Sequence, residues 1–379
     1  RPRAFQNAPR VAGDSPAVAR LREPGAVILG KTATPEFGSR IVTVSAVHGI
    51  TRNPFDPSKT PGGSSGGAAA AVALGLGTIA IGTDAGGSVR IPASFCNVFG
   101  LKPTLGRVPD YPPSPFTGLA VIGPLARRVE DATLAFTVIT RPECRDPYAL
   151  PCEDRDYRAG LDGSIADLRI AYSPTFGRPD VAVDPEVATF VAQAAEAFAT
   201  LGAAVESAEP VWPCDPLDVY LVLWRAAFAH FLEQTLSEDQ RARIGADMQA
   251  LLEAERALSL TEYLIARDRQ AEIAVAAKAF FNTYDLMLSP VMPMPPFAAD
   301  RIGALGIARE DWACCPFTWI CNLTRQPAAA VPCGFTAAGL PIGLQIVGPK
   351  YADALVLRAA RAFEATRRWD LPEAPMRRS

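Results

Sequence analysis

Residues 60–103 read TPGGSSGGAAAAVALGLGTIAIGTDAGGSVRIPASFCNVFGLKP. Two Gly-rich serine clusters punctuate this stretch, Gly62-Gly63-Ser64-Ser65-Gly66-Gly67 and Gly82-Thr83-Asp84-Ala85-Gly86-Gly87-Ser88. Glycine carries no side-chain carbon, so the backbone there can come close to a ligand. A serine at the end of a Gly-Gly turn sets its hydroxyl beside backbone N–H groups. A nucleophile next to such donors is what acyl transfer requires. Between the clusters, residues 68–76 favour a helix. Its amino end places Ser64 and Ser65 among N–H groups without intrahelical partners. Gly77 is expected to stop that helix, and residues 78–81 read as a buried strand feeding the second cluster.

Upstream, residues 15–21 predict a short helix, with Asp14 or Ser15 as N-cap and Pro16 in its first turn. Gly25-x4-Gly30-Lys31-Thr32 then matches the phosphate-binding loop letter for letter. That loop needs a strand before its first glycine and a flexible segment between the two. Here Ala26-Val27-Ile28-Leu29, an apolar run of strand length, sits between the glycines and a helix precedes them. The phosphate-loop reading is therefore set aside, and residues 26–29 are expected to be a buried strand. Downstream, residues 101–123 form a proline-rich loop of the kind that walls a site or simply crosses the surface. Strand and helix patterns then alternate: a helix over 128–139, a strand over 168–172, a helix from Asp184-Pro185 to Leu201, a strand over 203–206. Two or three helices over 216–282, strands at 285–290, 328–333 and 340–347, and a C-terminal helix over 352–366 complete the series. This alternation argues an α/β fold with a mostly parallel or mixed sheet. Residues 142–151 read as a linker.

With 379 residues, 49% hydrophobic and 20% charged, the chain can build a large core. Its net charge is −3, from 37 basic and 40 acidic residues, with no polybasic face, so no nucleic-acid partner is expected. The 8 cysteines form no CxxC pair, and with 2 histidines no zinc-ligand spacing can be assembled. Each cysteine is expected to be a small buried apolar residue in a reduced, cytoplasmic protein. No apolar run is long enough to span a membrane.

A serine nucleophile needs a partner to take its proton. His230 lies on an apolar helical face and reads as a core histidine; His48 reads as a loop residue. With no G-x-S-x-G elbow, lysine becomes the candidate base, since desolvation can bring its pKa toward neutrality. The chain's lysines are Lys31, Lys59, Lys102, Lys278 and Lys350.

Residues 62–104 closely resemble the defining segment of the amidase signature family. GKTATPEFG at 30–38, TRNPFDPSKTPGGSSGG at 51–67 and VIGPLARRVEDA at 121–132 are similar to the same family. So are LMLSPVMPMP at 286–295, NLTRQPAAAVPCGF at 322–335 and GLPIGLQIVGP at 339–349. The resemblance implies a single α/β/α domain over residues 1–379 with a large twisted mixed sheet, its signature core at about 15–140 and the remainder completing the sheet and pocket. It implies hydrolysis of the C–N bond of a small carboxamide through a seryl acyl-enzyme, with a Ser–Ser–Lys triad and no metal or organic cofactor. By position Ser88 matches the nucleophile and Ser64 the bridging serine, which follows a cis peptide bond in the family. Ala85, Gly86 and Gly87, with Ser88 itself, match the oxyanion hole. Ser65 and Asp84 match supporting residues, and Arg90 a structural partner behind them. The family's lysine lies in a K-D-N-like motif ahead of the GKT segment, and nothing here matches it. The expectation is that the segment carrying it is missing, by truncation or naturally, and that the chain as written has little or no activity. Lys31 returns as the candidate base if it is active.

The acyl pocket is expected from residues 107–123, 212–263 and 292–324, by the same resemblance. Three functions compete: an amide hydrolase with a small-molecule amide as partner and a homodimer as its candidate assembly; the transamidating component of a glutamine-dependent tRNA amidotransferase; and a catalytically impaired or scaffold homologue.

Overall fold

A computed structural model describes residues 3–5, 13–116, 118–151, 155–255, 257–300 and 309–366. In the strand Ala328–Phe335, Ala328 and Ala330 join one buried cluster while Ala329 and Val331 join another. The strand Leu286–Pro290 divides the same way, with Met287 on one side and Leu286 and Leu288 on the other. Side chains alternate across a strand, so apolar residues at both parities require a sheet covered on both faces.

Among the described residues that sheet has eight strands. Val44–Ser45 (β1) and Gly49–Ile50 (β2) form a separate two-residue ladder. The main sheet comprises Ile79–Asp84 (β3), Phe99–Lys102 (β4), Val121–Ala126 (β5), Arg169–Tyr172 (β6), Ala204–Ser207 (β7), Leu286–Pro290 (β8), Ala328–Phe335 (β9) and Pro341–Val347 (β10), in the order β3-β5-β4-β9-β10-β8-β6-β7. β6 pairs parallel with β7 and β8, and the other pairs are antiparallel, so the sheet is mixed.

Pro16–Arg22 (α1), Gly66–Ala73 (α2), Arg90–Phe95 (α3), Val129–Ile139 (α4), Pro185–Thr200 (α5) and Pro216–Thr235 (α6) are the first six helices. Glu238–Arg241 (α7), Ala246–Glu255 (α8), Leu260–Phe280 (α9), Arg309–Ala313 (α10), Ile320–Leu323 (α11) and Asp353–Glu364 (α12) follow. The apolar faces of α4, α5 and α12 pack into one cluster; α2, α3, α6, α8 and α9 pack into the other. The result is an α/β/α sandwich. Local chemistry explains the boundaries. Asp184 caps α5 by accepting from the N–H groups of Glu186 and Val187, with Pro185 in the first turn. Ser259 and Glu262 form a reciprocal capping box at α9. No described helix is long and apolar enough to cross a membrane.

Several expectations need correction. Residues 26–29 form no strand; Val27 and Leu29 are 83% and 75% exposed. Strand propensity needs a neighbour to pair with, and no described strand takes this run up. Lys31 is exposed, and no helix follows the Gly30-Lys31-Thr32 run, so no phosphate loop forms. α2 ends at Ala73 with Leu74 as its C-cap, because Gly75 turns the chain at φ +73°, two residues before Gly77. His230 is exposed rather than a core histidine, since α6 turns that position to solvent. Cys96, Cys315, Cys321 and Cys333 are buried, but Cys144 is exposed and Cys214 and Cys314 are half-buried; Cys152 lies outside the described residues.

A side-chain carbon on Gly123, in the middle of β5, would collide with the Leu101 carbonyl oxygen of β4. Gly123→Ala is expected to cost about 1–3 kcal/mol or more by overpacking, read as a shift of the urea midpoint at unchanged slope. An unchanged midpoint would mean that these strands are not held this closely.

Candidate active site

β3 ends at Asp84, residues 85–88 turn, and α3 begins at Arg90. The turn is fixed from behind by an ion pair with no solvent exposure on either partner. Arg90 Nη2 donates to Asp84 Oδ1 at 2.9 Å and Nε to Oδ2 at 3.0 Å, a two-pronged contact. Its remaining donors reach the Thr318 carbonyl at 2.8 Å, Gln345 Oε1 at 2.7 Å and Asn322 Oδ1 at 2.8 Å. Asn322 Nδ2 in turn donates to the Asp84 carbonyl at 2.8 Å and to the Leu119 carbonyl at 3.0 Å. Burial alone would raise the Asp84 carboxyl. The charge and hydrogen bonds of Arg90 override it and hold the carboxyl below its ordinary value, with Lys102 and Asn322 acting in the same direction.

The front of the turn is held as well. Thr318 Oγ1 donates to the Gly86 carbonyl at 2.7 Å, and the Tyr220 hydroxyl to the Ala85 carbonyl at 3.2 Å. A side-chain carbon on Gly86 would strike the Tyr220 hydroxyl, and one on Gly87, where φ is +121°, would strike Thr318. Both glycines are therefore required for close approach. Burial keeps the Tyr220 phenol protonated, so it stays a donor.

The first cluster is tied to the second through the backbone: the Ser65 N–H donates to the Ser88 carbonyl at 3.1 Å. Ser65 Oγ reaches the Thr83 carbonyl at 3.5 Å. Thr43 Oγ1 donates to the Gly62 carbonyl at 2.8 Å and accepts from the Gly66 N–H at 3.1 Å, which pins the loop ahead of α2. The Gly63–Ser64 peptide is cis.

Ser64 and Ser88 line one cavity of about 250 Å³. Ser64 is 3% exposed, and Ser88 is half-buried. Of the expected oxyanion donors, Gly87 commits its N–H to Asp84 Oδ1 at 2.8 Å. The N–H groups of Ala85, Gly86 and Ser88 donate to no described residue. No lysine or histidine lines this cavity among the described residues.

The pocket wall differs from the expectation. Of the three regions expected, the 107–123 loop supplies lining through Asp110, Ser114, Pro115, Phe116, Ala120 and residues 121–122. Among the described residues, the 212–263 helices and the 292–324 region contribute none; their aromatic residues stand one layer back. Phe116 stacks on Trp224 and Phe228 with ring centroids 5.5 Å apart in each case, and Tyr220 meets Trp312 at 4.9 Å. The sequence reading missed Phe37 as lining and, within the expected loop, did not single out Asp110. Asp110 is the only ionisable side chain among the described lining residues, and its carboxyl is raised by burial and by the charge of Asp146. The signal available was an aspartate inside the apolar, proline-rich run that follows Pro109.

The Lys102 ammonium is fully buried behind the site and donates to the Pro103 carbonyl at 3.0 Å. Burial, then the like charge of Arg90, brings its pKa down to about 8.

A family profile described as Amidase matches residues 3–357. An acylamidase of Rhodococcus erythropolis is 36% identical over 94% of this chain and 76% of its own length. The A component of the glutamyl-tRNA(Gln) amidotransferase of Thermus thermophilus is 37% identical over 93% of this chain and 78% of its own. Among solved structures, a 6-aminohexanoate cyclic dimer hydrolase complexed with substrate superposes with a TM-score of 0.87 at 31% identity, covering 96% of this chain and 81% of that one.

The buried charges set two expectations for stability. Asp84→Asn leaves Arg90 without its countercharge and is expected to cost about 3–5 kcal/mol in denaturant unfolding; a cost below about 1 kcal/mol would show that the pair is not desolvated. Lys102 has a folded pKa of about 8, below its unfolded value of about 10.4. Between those values the unfolded chain binds more protons, so this group makes stability rise with pH across that window. Lys102→Met is expected to lack that rise when unfolding midpoints are compared from about pH 8 to about pH 10; an identical rise would contradict the assignment.

Proposed function

This chain belongs to the amidase family, and on that premise we propose that Ser88 is its nucleophile and Ser64 the bridging proton carrier. The chain is a hydrolase of the amide carbon–nitrogen bond. The observation that supports these roles is that both serines line one cavity, beside N–H groups with no described acceptor.

In the first step Ser88 Oγ attacks the carbonyl carbon. A C–O bond forms, and the carbonyl π electrons move onto oxygen. The N–H groups of Ala85, Gly86 and Ser88 receive that oxyanion, while the Gly87 N–H stays on Asp84. The hydroxyl proton of Ser88 passes to Ser64, which hands its own proton to the departing nitrogen as the C–N bond breaks, so the amine leaves neutral and an acyl ester remains on Ser88. Water then attacks the ester, one of its protons returns through Ser64 to Ser88 Oγ as the C–O bond to Ser88 breaks, and the carboxylic acid leaves. Asp84, Arg90, Thr318 and Tyr220 hold the donor turn rigid, so little reorganisation accompanies the charge development.

The cavity favours a compact acyl group, since about 250 Å³ lies just under the usual range of ligand sites, about 300–1,000 Å³. Phe37, Pro115, Phe116 and Ile122 make it largely apolar, and Asp110 disfavours anionic acyl groups. The substrate is a small neutral carboxamide. The thiols of Cys96, Cys144, Cys214, Cys315 and Cys321 support a reducing, cytoplasmic setting. A second reading, the transamidating component of an amidotransferase, rests on the 37% identity to the Thermus thermophilus chain. It requires glutamine-dependent ammonia release in the presence of partner subunits, which separates it from hydrolysis by the chain alone.

Stopped-flow turnover of a chromogenic acyl anilide is expected to show an acylation burst that Ser88→Ala abolishes. Ser64→Ala is expected to slow acylation by about 10²–10⁴-fold. A burst retained in Ser88→Ala would overturn the nucleophile, and a Ser64→Ala rate within about twofold of the parent would overturn the relay. A screen pairing neutral with carboxylate-bearing acyl amides is expected to favour the neutral ones; no discrimination would remove Asp110 from substrate selection.

A further inference from the structure

A second cavity of about 640 Å³ opens between α9, the chain after α11 and the β10–α12 connection, and shares no lining residue with the catalytic cavity. Four cations line it: Arg267 and Lys278 from α9, Arg325 after α11, and Lys350 after β10. No described aspartate or glutamate lines it, and none of the four cations makes an ion pair with a described residue. Among the described residues, Lys350 rests over the Tyr351 ring, 4.8 Å from its centroid. The rest of the wall mixes apolar residues, among them Ala271, Ala274, Leu323 and Phe281, with the uncharged polar residues Gln270, Asn282, Thr324 and Gln326.

Arg325 is the most telling of the four. It sits at φ +63°, a backbone region that favours glycine. Its guanidinium is partly buried, passes beside Gly118, and carries no described hydrogen bond. Burial first, and the like charge of Arg267 second, lower its pKa from the ordinary arginine value. An unpaired cation in a concave, low-dielectric wall is unfavourable unless an anion completes it.

We propose that this cavity is a binding site for a small organic polyanion, a phosphate- or carboxylate-bearing molecule with an apolar body. Its volume suits a molecule of nucleotide size. Arg325 and Arg267 hold the anionic groups as planar forks, Lys278 and Lys350 add point charges at the rim, and the α9 alanines and Phe281 cover the apolar part.

Titration calorimetry of the full chain at low salt tests the site with three probes: ATP, inorganic pyrophosphate and citrate. Saturable binding is expected, with ATP tighter than pyrophosphate because only ATP offers an apolar body. Citrate binding more tightly than ATP would assign the carboxylate class instead of the phosphate class, within the same proposal. Arg325→Gly is expected to weaken binding by about tenfold or more while keeping or raising the melting temperature, since glycine suits φ +63°. Lys350→Gln, at an exposed position, is expected to weaken binding without unfolding the chain. No saturation by any probe up to millimolar concentration would overturn the proposal. Binding left unchanged by both variants would overturn it equally.

Discussion

The Asp84–Arg90 pair is the constraint on which the site depends. Both side chains are withdrawn from water, and an isolated charge there would be costly. The structure meets this cost with a full set of partners. Asp84 gathers the N–H groups of Gly87 and Val89 as well as Arg90, and Arg90 reaches Thr318, Asn322 and Gln345. One ion pair thereby links the end of β3, the start of α3, the α11 segment and β10. The turn between Asp84 and Ser88 has little freedom left, and its carbonyls are tied to Thr318 and Tyr220. The N–H groups of Ala85, Gly86 and Ser88 remain available because the neighbouring polar groups are already committed.

Much of this was legible from residues 60–103. The glycines at 86 and 87 announce a backbone that must pass close to other groups, and the structure names those groups as Tyr220 and Thr318. The α/β class was legible from alternating strand and helix patterns, and the structure bears it out with apolar residues at both parities of β8 and β9, as a sheet covered on both faces requires. The cap at Asp184-Pro185 was legible because capping is a local interaction.

What was not legible depended on partners far away in sequence. Residues 26–29 have the composition of a buried strand, yet Val27 and Leu29 stand in solvent, because composition does not supply a pairing neighbour. The aromatic residues of α6 resemble pocket lining, but Trp224 and Phe228 stack behind Phe116 and support the wall from the second layer. The helical pattern around His230 suggested burial; which way that face turns is decided by how α6 packs on α9 and α8. Four cations from three separate segments gave no linear motif at all, and only folding brings them around one cavity.

The central claim is that Ser88 is an activated nucleophile held beside free backbone donors. Its most direct test is covalent labelling with a fluorophosphonate, followed by mass-spectrometric mapping of the adduct. The account predicts one phosphonyl group per chain, on the peptide containing Ser88. Unmodified protein after prolonged exposure, or an adduct on another serine while Ser88 stays unmodified, would contradict it.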